Sequence, residues 1–310
     1  MKILILGGSG FVGSHLVRRL SRNGHSITVA SRYPNAARHL AIVPRVSIRV
    51  FDPYDLERLC DELAGHDVLI NLVGILNESG RDGSGFRKAH VELVATAIEA
   101  CEKTGTSRML QMSALNAGRG ESHYLRTRGE GERRIRASRL DWTIFRPSTI
   151  FGPDDSFLNR FAGLLAISPV LPLARAGSEF APVYVGDVVE AFVRVLEDRK
   201  CIGEICELCG AETWTLREIV EWIAHQRGMR RWIIGLPDSL GRLQGRVFDF
   251  VPGKPFSSDN FKSLLLDSVC SNKGFDRLGI TPWPMSEKAP EWLTEDHQRR
   301  LRRLRERRGD

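Results

Sequence analysis

Residues 6–16 read LGGSGFVGSHL, and the three glycines at positions 7, 10 and 13 decide how the chain is read. The stretch follows a compact apolar run, KILIL (2–6), and opens a helical pattern, FVGSHLVRRLSRNG (11–24). It is therefore a turn from strand to helix. In that setting Gly7 permits a sharp exit from the strand, Gly10 lets the backbone approach a pyrophosphate, and Gly13 lets the helix pack closely on the sheet. Phe11 and Val12 open the helix, so its first N–H groups face the phosphates. Placed between strand and helix, the triplet points to a dinucleotide.

Working outward, the same alternation repeats. SITVA (26–30), VSIRV (46–50), DVLIN (67–71), RMLQM (108–112) and WTIFR (142–146) read as strands. Between them PNAARHLAI, YDLERLCDEL, FRKAHVELVATAIEACEKTG and YLRTRGEGERRIRAS carry helical spacing. Strand alternating with helix implies a parallel sheet covered on both faces, the doubly wound α/β Rossmann architecture. We expect a nucleotide-binding domain over residues 1–150, with 181–200 returning to it, a smaller lobe over 151–296, and a basic tail over 297–310. Within the lobe, helices are expected at 215–228, with Thr215 as N-cap and Glu218 three positions on, and at 257–269.

The chain has 310 residues, 42% hydrophobic and 27% charged, and a net charge of +7. The tail HQRRLRRLRERRGD holds seven arginines against one Glu and one Asp, a net +5, which leaves +2 for the rest. The body is nearly neutral, and Arg133, Arg134, Arg136 and Arg139 lack interleaved aromatics, so no nucleic-acid partner is expected. The tail reads as a solvated end, or as a contact for anionic lipid or an acidic protein of a membrane-associated assembly. No run is long and apolar enough for a membrane span, so a cytoplasmic location, free or peripheral to a membrane, is expected. The six cysteines, at 60, 101, 201, 206, 209 and 270, are scattered and are expected to be reduced thiols. No histidine spacing or second CxxC pair completes a metal set. Neither a GxSxG elbow nor a GxxxxGK[ST] phosphate loop occurs.

The second strand ends in Ala30-Ser31-Arg32. An acid there would accept the ribose 2′-hydroxyl of NAD; an arginine can instead pair with a 2′-phosphate, and Ser31 can add a hydroxyl, so NADP(H) is expected over NAD(H).

Further stretches carry a family resemblance: VLINLVGIL (68–76), SALNA (113–117) with SHYLRTRGEGE (122–132), IFRPSTIFGPDDSFLNRFA (144–162), PVYVGDVVEAF (182–192), PFSSDNFKSLLLDSV (255–269) and LGITPWPMSEKAPEWL (278–293). With the glycine loop, they make the chain resemble an atypical, extended-like short-chain dehydrogenase/reductase of the NAD-dependent epimerase/dehydratase superfamily. More narrowly, it resembles the group formed by the NADPH-binding alpha-subcomplex subunit nine of mitochondrial complex I and its bacterial relatives. The resemblance covers all but the tail. It implies that Gly7, Gly10 and Gly13 cradle the pyrophosphate and that Ser31 and Arg32 read the ribose phosphate. It also implies that Asp52 reaches the adenine edge, that Asn71, Leu72, Val73 and Gly74 line the nicotinamide half, and that Pro147 and Ser148 flank the carboxamide. Ser113 would take the place that polarises the substrate and Tyr124 that of the acid. Arg128 stands where the superfamily has lysine, the cation that binds the nicotinamide ribose. Arginine keeps the charge but is planar, bulkier and unable to relay a proton.

Two functional classes fit these residues. One is an oxidoreductase that passes hydride between NADP(H) and a carbonyl or quinone-like small molecule, with Tyr124 as proton donor and Ser113 holding the oxygen. The other is an NADPH-binding module, without turnover, in a membrane-associated assembly. In the second case Tyr124 and Ser113 serve packing and local hydrogen bonding.

Overall fold

The computed structural model describes residues 1–251, 254, 256–272 and 274–294; the arginine tail lies outside the described residues. The chain divides into two compact units, the first comprising Met1–Pro147, Val188–Leu208 and Ser271–Ile280.

The apolar runs of the first unit become strands β1 (Lys2–Leu6), β2 (Ser26–Ser31), β3 (Val46–Val50), β4 (Val68–Asn71), β5 (Arg108–Met112), β6 (Asp141–Pro147) and β7 (Glu204–Leu208). They form one sheet in the order β7-β6-β5-β4-β1-β2-β3, every neighbouring pair parallel. Ile3, Leu4, Ile5 and Leu6 are fully buried, as expected of a central strand covered on both faces. The helices α1 (Phe11–Arg22), α2 (Leu56–Leu63), α3 (Leu93–Thr104) and α4 (His123–Ala137) supply the covering layers. Leu59 and Leu63 of α2, Val94 and Ala97 of α3 and Ile135 of α4 share one core with Leu4, Leu69, Met109 and Ile144.

The sheet has a seventh strand, β7, which with Ser271–Ile280 belongs to the first unit in addition to the expected 1–150 and the returning 181–200. Strand β7 is the stretch EICEL, paired along β6 from Glu204 beside Thr143 to Leu208 beside Pro147. Its buried Glu207 accepts hydrogen bonds from the Ser271 N–H (2.8 Å), the Ser271 hydroxyl (3.0 Å) and the Asn272 N–H (3.3 Å). That carboxylate fastens the returning segment to the edge of the sheet.

Two helical expectations are modified here. PNAARHL forms a 3-10 helix over Pro34–Leu40, and the helix expected over 86–105 runs without a break from Ser84 to Thr104 but carries a π-helical turn at Lys88–Glu92. At that turn α4 approaches so closely that a Cβ on Gly131 would overlap the His90 carbonyl oxygen.

Among the described residues, the second unit comprises Ser148–Asp187, Cys209–Cys270 and 281–294. Its core joins Leu158 and Leu165 of helix α5 (Leu158–Ile167) to Ile219 and Ile223 of α6 (Leu216–Gln226), with Trp292 and Leu293. Phe157, Phe161, Trp214 and Trp222 pack against this core. Thr215 and Glu218 form the expected capping box at the start of α6. In FGPDDSF the buried Asp155 accepts N–H bonds from Gly152, Phe157 and Asn159, which fixes the entry into α5. Helix α7 (Asp238–Phe248) follows a parallel ladder of Trp232–Leu236 with Val170–Ala174. Of the expected 257–269 helix only Ser258–Ser263 is helical, because the chain beyond it pairs with the backbone around Phe180: Ser268 donates to Glu179 O (2.7 Å) and accepts from Ala181 N–H (3.0 Å).

The cysteine expectation is corrected in this unit. Cys209 and Cys270 form a disulfide with Cα atoms 5.9 Å apart, whereas Cys60, Cys101, Cys201 and Cys206 are free. The two bonded residues lie 61 positions apart. Cys206, inside β7, is buried in the sheet layer, and Cys209, past the end of the strand, is carried to a different partner.

Candidate functional site

The strand order reverses between β1 and β4, and the loops that leave these strands meet there, as in other doubly wound sheets. Gly7 has φ +77°, a left-handed conformation that favours glycine, and an added Cβ would lie 3.0 Å from the Val73 N. A Cβ on Gly13 would overlap the Gly7 carbonyl, so this glycine is required by the close passage of α1 over the turn. Gly10 differs: an added Cβ meets only the Gly7 oxygen, at 3.3 Å, and packing does not explain the glycine. The space it leaves suits a close-lying phosphate. Gly10 is also the N-cap of α1, without a capping side chain, and no acid occupies the first turn, where Phe11 and Val12 sit half-buried. This turn fits a pyrophosphate without further adjustment.

At the end of β2 the buried Ser31 hydroxyl donates to the Tyr33 carbonyl at 2.9 Å, while Arg32 is exposed, its guanidinium carbon 5.7 Å from the Tyr33 ring centroid. Arg32 is thus the group of the pair presented to solvent. Asp52, past β3, is exposed and accepts the Tyr54 N–H at 3.3 Å. Burial raises the Tyr54 phenol above its ordinary value, opposed by the charge of Arg32.

Past β4, the fully buried Asn71 donates to Gln111 Oε1 (2.9 Å) and accepts from Val73 N–H (3.1 Å), which holds Leu72 and Val73 in place. Gly74 lies under the Arg128 guanidinium, and a Cβ there would overlap Nη2. Arg128 is buried; its Nη1 donates to the carbonyls of Met112 (2.9 Å) and Val73 (3.3 Å), and its Nε has no hydrogen-bond partner. The arginine therefore spans the ends of β4 and β5. Its charge still lies beside Tyr124, with the guanidinium carbon 5.6 Å from the ring centroid, as the i,i+4 spacing on α4 requires.

Tyr124 is half-buried, packed edge-on against Phe86 (6.0 Å) and His90 (5.5 Å between centroids). His90 sits in the π turn and is 2% exposed. Burial, aided by the Arg128 charge, pushes it down to about 2, so it is neutral. Its Nε2 accepts the Ile75 N–H at 3.3 Å, which leaves the proton on Nδ1, and that nitrogen donates to the Thr127 hydroxyl at 3.0 Å. Thr127 in turn donates to the carbonyls of His123 and Tyr124. This chain links the loop after β4 to the first turn of α4.

Ser113, just beyond β5, is buried, and its hydroxyl donates to Glu132 Oε1 at 2.5 Å. Glu132 is itself 3% exposed and is gripped by both Nε (2.9 Å) and Nη2 of Arg146. A carboxylate only accepts, so the Ser113 proton is directed at Glu132. Pro147 ends β6, its carbonyl accepting the Leu115 N–H (3.0 Å). Ser148 opens the second unit, and its hydroxyl donates to the Ser268 carbonyl at 2.7 Å. Sequence reasoning did not single out Glu132, Arg146 or His90. An arginine between Phe145 and Pro147 of strand β6 was the available signal, because such a cation requires a partner.

The chain belongs to a family of NAD(P)-binding proteins that includes a ceramide reductase of Caulobacter vibrioides, a class to which the glycine turn and the sheet order conform. Residues 7–156 match the family described as NAD(P)H-binding. Within the class the chain is similar to a ceramide reductase of Caulobacter vibrioides, 31% identical over 244 residues, covering 76% of this chain and 74% of that protein. It is likewise similar to NADH dehydrogenase [ubiquinone] 1 alpha subcomplex subunit 9, mitochondrial, of Arabidopsis thaliana, 29% identical over 309 residues, covering 93% of this chain and 76% of the relative. Among solved structures, UDP-glucose 4-epimerase of Thermotoga maritima shares the fold with a TM-score of 0.77 at 17% identity, covering 97% of this chain and 99% of that one. UDP-glucuronic acid 4-epimerase of Bacillus cereus, in complex with NAD, matches with a TM-score of 0.68 at 20% identity, covering 85% of this chain and 99% of that one. Among the described residues no helix is long and apolar enough to cross a membrane.

Proposed function

We propose that the chain is an NADP(H)-dependent reductase that converts a carbonyl group, carried on an apolar molecule, to an alcohol. The observation that carries this reading is Tyr124, whose ring lies 5.6 Å from the guanidinium carbon of Arg128, itself bonded to the carbonyls of Val73 and Met112 at the β4 and β5 ends. Bound NADPH would supply the hydride to the carbonyl carbon. Tyr124 gives its proton to the carbonyl oxygen, and Arg128 favours the negative charge that builds on the phenol oxygen in that step. Gly7, Gly10 and Gly13 hold the pyrophosphate and Arg32 the 2′-phosphate. Ser113 holds α4 to β5 through Glu132. The apolar character of the substrate is supported by the similarity to a ceramide reductase.

A second reading is a nucleotide-binding module without turnover, in an assembly of the kind named for the alpha subcomplex relative. Two observations favour it: the Ser113 proton is directed at Glu132, and Nη1 of Arg128 is held by two carbonyls. One experiment separates the two. Nucleotide released from the denatured protein is identified by mass spectrometry, and NADPH absorbance is then followed with long-chain ketones, aldehydes and quinones. The first reading expects sustained oxidation, lowered about 10²- to 10⁴-fold by Tyr124→Phe with nucleotide affinity retained. Bound NADPH with no oxidation by any of these compounds establishes the second.

A further inference from the structure

Helix α7, Asp238–Phe248, is amphipathic in the reverse sense. Its small residues face inward: a Cβ on Gly241 would lie 2.9 Å from Phe261 Cε2, and one on Gly245 3.1 Å from Ser258 Cα, so the helix rests on residues 258–261 along a glycine stripe. Its large apolar residues face outward. Leu240, Leu243 and Val247, spaced i, i+3 and i+7, are 48%, 54% and 53% exposed, and Phe250 beyond them is 71% exposed. Seven of the sixteen exposed large apolar side chains among the described residues lie within 232–251, including Trp232 and Ile234 in the strand that leads to the helix. A concentration of this kind marks an interaction surface.

The exposed charges of this segment that no ion pair offsets are of one sign. Arg242 and Arg246, interleaved with the apolar positions, are exposed, as is Arg230. The two acids of the segment are engaged elsewhere: Asp238 pairs with Arg175 at 3.2 Å, and Asp249 accepts from the Ser258 hydroxyl at 2.6 Å. A two-fold contact with a second copy would bring Arg242 and Arg246 against their own equivalents, which like-charge repulsion disfavours. An apolar stripe edged by guanidinium groups matches the boundary of a bilayer, with the side chains of Leu240, Leu243 and Val247 at the acyl region and the arginines at the phosphates.

We infer that the outer face of α7 docks on an anionic lipid bilayer. The inference rests on residues other than those of the nucleotide site and stands whether or not the chain turns over a substrate.

The test is flotation of the full chain with vesicles of phosphatidylcholine alone or mixed with phosphatidylserine. Four proteins are compared: the parent, Leu243→Glu with Val247→Glu, Arg242→Gln with Arg246→Gln, and a chain lacking residues 297–310. All four substituted side chains are exposed, and an unchanged melting temperature checks that the variants fold. The expected result is binding of the parent to the mixed vesicles only, weakening as salt is added. The glutamate pair should abolish it, and the glutamine pair should lower the vesicle partition coefficient roughly thirtyfold, about fivefold per cation. Undiminished binding of both α7 variants, with loss only on removal of the tail, would overturn the inference. So would a parent that floats with neither vesicle and sediments as a dimer that the glutamate pair dissociates, since the face would then be a contact between copies.

Discussion

At the scale of single residues, the site pairs a buried neutral base with a buried cation. Burial, aided by the Arg128 charge, holds His90 far below its ordinary 6.5, at about 2. The unfolded chain takes up a proton below pH 6.5 that the folded chain refuses, so the stability associated with neutral His90 is complete above that pH and is lost as pH falls toward 2. The slope over that window is about 1.4 kcal/mol per pH unit. Urea unfolding at pH 7 and pH 5 should show the parent losing about 2 kcal/mol more than His90→Gln; equal losses would mean that the folded protein accepts the proton. Arg32 gives a second expectation. A charge-assisted contact to a 2′-phosphate is worth roughly 1.5–3 kcal/mol, so Arg32→Ala should weaken NADPH about 10- to 100-fold and leave NADH nearly unchanged, measured by calorimetric titration. Equal weakening of both would remove Arg32 from cofactor choice. For Ser113 the direction of its proton sets the expectation: Ser113→Ala takes one donor from buried Glu132 and should cost about 1–3 kcal/mol of stability. Its turnover should fall much less than that of Tyr124→Phe, and comparing the rates of the two variants checks the assigned roles.

At the scale of elements, α4 carries most of the site, and its sequence shows both what could be read and what could not. The helix was legible from YLRTRGEGERRIRAS, as was the stacking of Arg128 on Tyr124, because both depend on local spacing. The reason for its glycines was not. Gly129 and Gly131 are poor helix formers that make sense only when the close approach to Gly118 and to the His90 carbonyl is seen. Gly131→Ala should therefore destabilise the protein by about 1–3 kcal/mol, even though alanine favours a helix. A variant with the parent's melting temperature would show that the π turn can give way. The link from Ser113 through Glu132 to Arg146 was hidden for the same reason, since it joins a strand end, a helix and a second strand. Strands were read well wherever burial on both faces makes them continuously apolar. Strand β7, EICEL, has apolar residues at Ile205, Cys206 and Leu208, but nothing local tells which sheet it joins.

At the scale of the whole molecule, the glycine turn and the alternation around it were enough to give the architecture, whereas the disulfide was not legible because its cysteines lie far apart in sequence. Denatured without reductant, the protein should show four reactive thiols out of six, at Cys60, Cys101, Cys201 and Cys206. A bond closing a loop of 61 residues contributes roughly 4 kcal/mol in the chain-entropy account, so dithiothreitol should lower the melting temperature. Six thiols before reduction would show the bond absent. The grip of Glu207 on Ser271 and Asn272 has a consequence for how the protein is made. Six strands of the large sheet have left the ribosome before Glu204 is translated, and the partners of Glu207 follow more than sixty codons later. No single cut in the gene releases the nucleotide-binding unit intact. A product ending near residue 150 would carry β6 as an open edge, able to pair with any other nascent strand.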